Sequence, residues 1–273
     1  MVYKQKILGF MAAVGMMAVY SMPSLANVQT WTFNSATQSF NNTNNGNTLS
    51  LTSSDGIHLT VSGFSDTGDV SGADLVETGR LIWANSTALG VANRDEGIDP
   101  ASPHHSTDSV RSGSDADGDF DMLLLEFDTA VNLTGMTLNW AQGGNVANTA
   151  DVSILAYVGP GSSALVGNTW ASVLDTNGGA YDSVGNYSNV NLSYYAVNPT
   201  SVTSTKWLIG AYNPVFGAGG DASDDGFKLA SLTTSTTTIP DQPPGEVPAP
   251  GTLALLIAGL LGLRSRRAAK VAS

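Results

Sequence analysis

The sequence predicts an all-β protein, a two-sheet β-sandwich of jelly-roll type over residues 27–234, and three observations predict it. Apolar and polar residues alternate in short runs, stretches rich in Gly, Asn, Ser and Thr separate the runs, and no long segment of 3.6-residue period survives between the two ends. Trp31-Thr-Phe33, Thr48–Thr52 and Ile57–Ser62 alternate residue by residue, as strands with one face on a core do. Phe120–Phe127 has a nearly continuous apolar centre, which predicts a strand buried on both faces. Val131–Leu133 and Met136–Trp140 alternate out of phase, and the slip at Thr134-Gly135 predicts a β-bulge or a bend. Val152–Val158, Ser193–Val197, Lys206–Tyr212 and Phe227–Leu232 complete the expected strands, with Val152–Val158 read as one-sided. No internal repeat points to a propeller or β-helix.

Charge narrows the function classes. Charged residues make up 12% of the chain, about half the usual globular share. All 23 acidic residues fall between Asp55 and Glu246, where only Arg80, Arg94, Arg111, Lys206 and Lys228 are basic, so that stretch carries −18. This balance opposes nucleic-acid binding, which needs a basic face, and favours divalent cations or cationic partners. Cysteine is absent, which excludes a disulfide frame, a thiolate metal site and a cysteine nucleophile.

The two ends differ from the middle. Residues 1–26 read as a secretory signal peptide: Lys4 and Lys6 begin it, Ile7–Tyr20 is an apolar run, and Ser24-Leu-Ala26 is a small-x-small pattern with cleavage expected between Ala26 and Asn27. Residues 235–246 are dense in Pro and Thr, as an extended linker is. Residues 251–263 carry no charge and as a transmembrane helix would cover about 20 Å of a ~30 Å hydrocarbon core. Counted from Val247, and with Arg264, Arg266, Arg267 and Lys270 snorkelling, the segment comes closer to a full span. The cations place that end on the cytoplasmic side and everything before it outside.

The order of linker, Val247-Pro248-Ala249-Pro250, apolar run and Arg264-Ser265-Arg266-Arg267 resembles the PEP-CTERM sorting signal of Gram-negative bacteria, with Ala249 where Glu is usual. The resemblance implies a precursor held in the inner membrane, processed by an exosortase-type enzyme and delivered to the cell surface or an extracellular polysaccharide matrix. Asp121–Asp128, Lys206–Pro214 and Asp224–Leu229, together with His105–Asp108, resemble a family of exosortase-dependent surface proteins of unknown function. That family has no established catalytic residues to carry over.

Two acidic clusters are candidate calcium sites. Asp115, Asp117, Asp119 and Asp121 alternate, so an extended segment would project them from one side. In Asp221-Ala-Ser-Asp-Asp-Gly226, Asp221 and Asp225 hold loop positions one and five, and Gly226 holds six. The twelfth position is Leu232, so a bidentate ligand must come from elsewhere. Calcium, and solvated acidic loops that keep strand edges apart, are both open readings.

For catalysis, His104 and His105 with Asp108, or an Asp121–Glu126 glycosidase pair, are the available groupings. No Gly-x-Ser-x-Gly elbow is present and no spacing orients a set, so the chain is not expected to be an enzyme. His58 falls on the polar face of its strand. Trp83, Trp140, Trp170, Trp207, Tyr181, Tyr187, Tyr194 and Tyr195 could stack on sugars, although core anchoring is the plainer use. The expectation is a non-enzymatic surface or matrix protein associated with exopolysaccharide or biofilm. The alternatives are a calcium-dependent carbohydrate-binding or adhesive module and, last, an extracellular hydrolase.

Overall fold

A computed structural model describes residues 25–67, 74–94, 106–109, 119–221 and 225–238, and Ala26–Thr237 form one compact unit. Seven strands precede residue 110: β1 (Leu25–Thr32), β2 (Thr48–Thr52), β3 (His58–Thr67), β4 (Leu75–Thr78), β5 (Arg80–Asn85), β6 (Ala88–Ala92) and β7 (Thr107–Asp108). Six follow: β8 (Asp121–Gln142), β9 (Ala150–Tyr157), β10 (Tyr181–Val190), β11 (Tyr195–Ala196), β12 (Ser204–Ala211) and β13 (Gly226–Thr238). The protein is all-β, built on a large antiparallel sheet, with no α-helix among the described residues.

Strand β8 organises that sheet. Its first part, Asp121–Phe127, runs between β3 and β12, and β12 continues to β9 and β10. Its second part, from Asn132 onward, pairs with β13, which carries β1, β6 and β7. One core draws on both parts: Leu59, Leu123, Ile154 and Trp207 from the first, and Trp31, Leu133, Leu138 and Phe227 from the second. Each fully buried large apolar side chain contributes about 1.5–3 kcal/mol.

The phase slip in β8 is a bulge, as its sequence requires. Thr233 opposes Gly135 and Thr234 opposes Leu133, which leaves Thr134 as the extra residue. The Tyr194 ring covers Gly135, and a Cβ there would lie 2.3 Å from that ring, so a larger residue would displace the exposed Tyr194 side chain. A second slip, between Leu138 and Trp140, places the extra residue at Asn139. It turns Trp140 away from the face shared by Met136 and Leu138, correcting the single alternation read across Met136–Trp140. Trp140 is half-buried under Lys228, whose Nζ lies 5.0 Å from the ring centroid. Burial lowers the Lys228 pKa.

Strand β9 also departs from expectation. It is not one-sided: Ala150 to Ala156 are all buried. The segment 158–180 and a 3₁₀ turn at Pro214–Phe216 cover its outer face, where Leu165, Trp170, Val173 and Phe216 pack with Met122, Leu155 and Leu208 in a second core. The same cover buries both faces of β8, as its apolar centre predicts.

Strand β13 runs to Thr238, so the first residues assigned to the linker are strand. The physical reason is β-branched Thr alternation on a paired edge: Thr234 is buried and its Oγ1 accepts the Trp31 indole N–H at 2.9 Å. Residues 1–24, 239–246 and the tail 247–273 lie outside the described residues. Among the described residues, no helix is long and apolar enough to cross a membrane.

Candidate cation site

Strand register gathers carboxylates at one end of the molecule. Ser65 opposes Asp121, Gly210 opposes Met122, Ala211 opposes Val152 and Asp108 opposes Gly226. The ends of β3 and β12 therefore meet the starts of β8, β9 and β13. Asp66, Asp108, Asp119, Asp121, Asp151 and Asp225 are all buried there. Carboxylates at that depth require hydrogen bonds or cations to stay ionised.

Three of them converge. One oxygen from each of Asp151, Asp221 and Asp225 lies within 4.8 Å of the others. Asp151 is 1% exposed and Asp225 0%, whereas Asp221 is half-buried. Backbone groups fix the arrangement: Asn189 N–H donates to Asp151 Oδ1 at 2.7 Å and Asp221 N–H to Asp151 Oδ2 at 2.9 Å. Asp151 N–H in turn donates to Asp225 Oδ1 at 2.7 Å, and the Asn145 amide donates to Asp221 Oδ2 at 2.7 Å. A Cβ on Gly220 would come within 2.6 Å of the Tyr212 ring and 2.8 Å of Asp151 Oδ2, so the loop closes over the site only with glycine there. Hard, charged oxygens held this close could hold a metal ion, and the donor set is compatible with calcium.

No protein-family model, curated protein or solved structure matches this chain. Asp221 and Asp225 are two of the expected ligands; the third, required from outside their loop, is Asp151, 70 residues away from Asp221. Its only sequence signal is an acid opening an apolar strand. Leu232, at the twelfth loop position, is fully buried in the core.

Of the first expected cluster, Asp119 and Asp121 are buried rather than solvated. Asn93 Nδ2 donates to Asp119 Oδ2 at 2.9 Å, Asp108 N–H to Asp121 Oδ2 at 3.4 Å, and Ser106 Oγ to Asp108 Oδ2 at 2.8 Å. Asp115 and Asp117 lie outside the described residues, as do His104, His105 and Asp224. Asp66, which nothing in its Ser-Asp-Thr setting marks out, joins this group. Its Oδ1 accepts the Phe120 N–H at 2.6 Å. Burial pushes its pKa up to about 8, against the lowering effect of the Phe120 N–H and the Trp170 indole, and nearby Asp119 adds to the rise.

The Asp121–Glu126 pair does not form. The two residues are five apart along β8, about 17 Å at ~3.4 Å per residue, whereas glycosidase carboxylates sit ~5–9.5 Å apart. Glu126 instead meets Lys206 Nζ at 2.8 Å. His58 is exposed, with Nδ1 3.0 Å from Thr52 Oγ1. Trp170, Trp207 and Tyr181 are core residues, Trp140, Tyr187 and Tyr195 are half-buried, and Tyr194 is exposed.

Proposed function

We propose that the chain is an exported, non-enzymatic surface or extracellular-matrix protein of an exosortase-type sorting system, with a jelly-roll sandwich as its working domain and calcium as its structural ion. One observation carries the routing: a linker, a Pro-rich mark, an uncharged run and an Arg cluster follow one another in residues 235–273. The signal peptide gives the same topology, with the domain outside and the basic tail inside. Calcium is supported by the Asp151–Asp221–Asp225 convergence, since extracellular modules use oxygen-rich, weakly binding sites of this kind.

Intact-mass analysis of the protein from its native host tests the routing. The expected mature species begins at Asn27 and ends near Pro248–Pro250. A mature species that still contains Leu253 to Lys270 ends the sorting reading. Replacing Arg264, Arg266 and Arg267 by Ser is expected to weaken membrane retention of the precursor, because the orientation signal is lost. A calcium-dependent carbohydrate-binding or adhesive module is the second reading. It is favoured by the half-buried aromatic pair Phe40 and Trp83, whose rings stack at 5.0 Å.

A further inference from the structure

Few cations serve this acidic domain, and most of those described have partners. Arg94 Nη1 lies 2.8 Å from Glu77 Oε2, Lys206 Nζ lies 2.8 Å from Glu126 Oε1, and Lys228 lies over Trp140. Arg80 makes no ion pair among the described residues, and its Nε is buried with no hydrogen-bond partner. A buried N–H left unsatisfied costs free energy, which an acceptor placed there would recover.

Arg80 lines a pocket of about 360 Å³ together with Phe40, Thr43, Asn47, Ile82 and Trp83. That volume falls in the ~300–1,000 Å³ range of small-ligand sites. The pocket is firmly built. It lies where the loop 40–47 runs against β5, and buried Asn47 clamps both backbone groups of Leu81: Nδ2 donates to Leu81 O at 2.9 Å and Oδ1 accepts Leu81 N–H at 2.7 Å. Gly46 N–H donates to Gly79 O at 2.8 Å, and Phe40 stacks on Trp83 with 23° between the ring planes. Asn47 is thus a positioning residue, and Arg80 and the aromatic pair are left to meet a ligand.

We propose that this pocket binds an acidic saccharide, with a sugar carboxylate on the Arg80 guanidinium and a face of the sugar ring against the Phe40–Trp83 pair. The planar guanidinium fork matches a carboxylate in two hydrogen bonds, and aromatic rings offer the flat apolar surface that the C–H face of a sugar ring covers. A small inorganic anion would use the first feature and none of the second. The net charge of −16 over residues 27–234 repels anions elsewhere, so recognition has to be local. The choice of a saccharide over other ring carboxylates rests on the matrix reading above.

The test is tryptophan fluorescence and calorimetric titration of the purified full chain, in EDTA, with trigalacturonate, its methyl ester and inorganic sulfate. Trigalacturonate is expected to bind about tenfold or more tighter than either comparator, as a charge-assisted bidentate pair requires. Arg80→Gln is expected to remove that preference, Arg80→Lys to restore part of it, and Trp83→Leu to weaken acid and ester alike. Equal binding of acid and ester, unchanged binding by Arg80→Gln, or no saccharide binding at all overturns the proposal. Repeated with calcium in place of EDTA, binding that appears only then, is lost in Asp221→Asn and survives Arg80→Gln would also overturn it. That last result would move the ligand to the carboxylate end while leaving the proposed function intact. The mature mass tests the routing independently.

Discussion

At pH 8 in EDTA, Asp66→Asn is expected to be more stable than the parent by an amount on the order of 2–5 kcal/mol, and the advantage is expected to vanish near pH 4. The carboxyl ordinarily titrates near 3.8 and is held at about 8 in the fold, chiefly by burial. Between these values the folded protein keeps a proton that the unfolded chain has released. Stability therefore falls as pH rises, by up to about 1.4 kcal/mol per unit, and the contribution is fully present only below the unfolded value. Asparagine keeps an Oδ1 to accept the Phe120 N–H and carries no charge to bury. Denaturant unfolding of both proteins from pH 4 to pH 9 measures the effect as a difference, so titrations elsewhere in the domain cancel. A difference that stays flat across that window would show that Asp66 ionises in the fold without penalty.

Calcium at ~10 mM is expected to raise the melting midpoint by about 3–10 °C. Dissociation constants of ~10⁻⁴–10⁻³ M, usual for extracellular modules, correspond at that concentration to roughly 1.4–2.7 kcal/mol. Each kcal/mol moves the midpoint of a domain of this size by ~2–4 °C. The gain arises because the oxygens of Asp151, Asp221 and Asp225 meet only in the folded protein, so calcium binds that state alone. Asp221→Asn is the cleanest variant: Asp221 is half-buried, and asparagine retains an oxygen to accept from Asn145. It is expected to abolish most of the calcium shift. Magnesium, which demands near-ideal octahedral geometry and gives up water reluctantly, is expected to shift the parent far less. Equal small shifts with both ions, unchanged in Asp221→Asn, would assign the effect to screening of the acidic surface.

The site was half legible before the fold was known. The loop 221–226 shows two ligands and, because Leu232 holds the twelfth position, the need for another from outside. That Asp151 is placed to supply it follows from β9 pairing with β12 and from the Asp151 N–H bond to Asp225, contacts between residues far apart in the chain. Asp66 gave no signal, since its pKa comes from what covers it rather than from its neighbours in sequence.

The fold divides along the same physical line. Local alternation is enough to mark β1, β2, β3 and β13 and the bulge at Thr134, because strand geometry imposes a period of two on any chain with one buried face. Strands β5 and β10 escape it: most of their residues are only half-buried, so no clean apolar set repeats. Strand β9 is marked by it as a strand but not as a two-faced one, since the segment 158–180 buries its second face. The routing we propose rests on short contiguous stretches of sequence, residues 1–26 and 247–273, whose charge and apolar length would act directly on a membrane. Which carboxylates meet, which aromatic rings line a pocket and which arginine makes no ion pair among the described residues are matters of long-range strand register, and only the tertiary structure decides them.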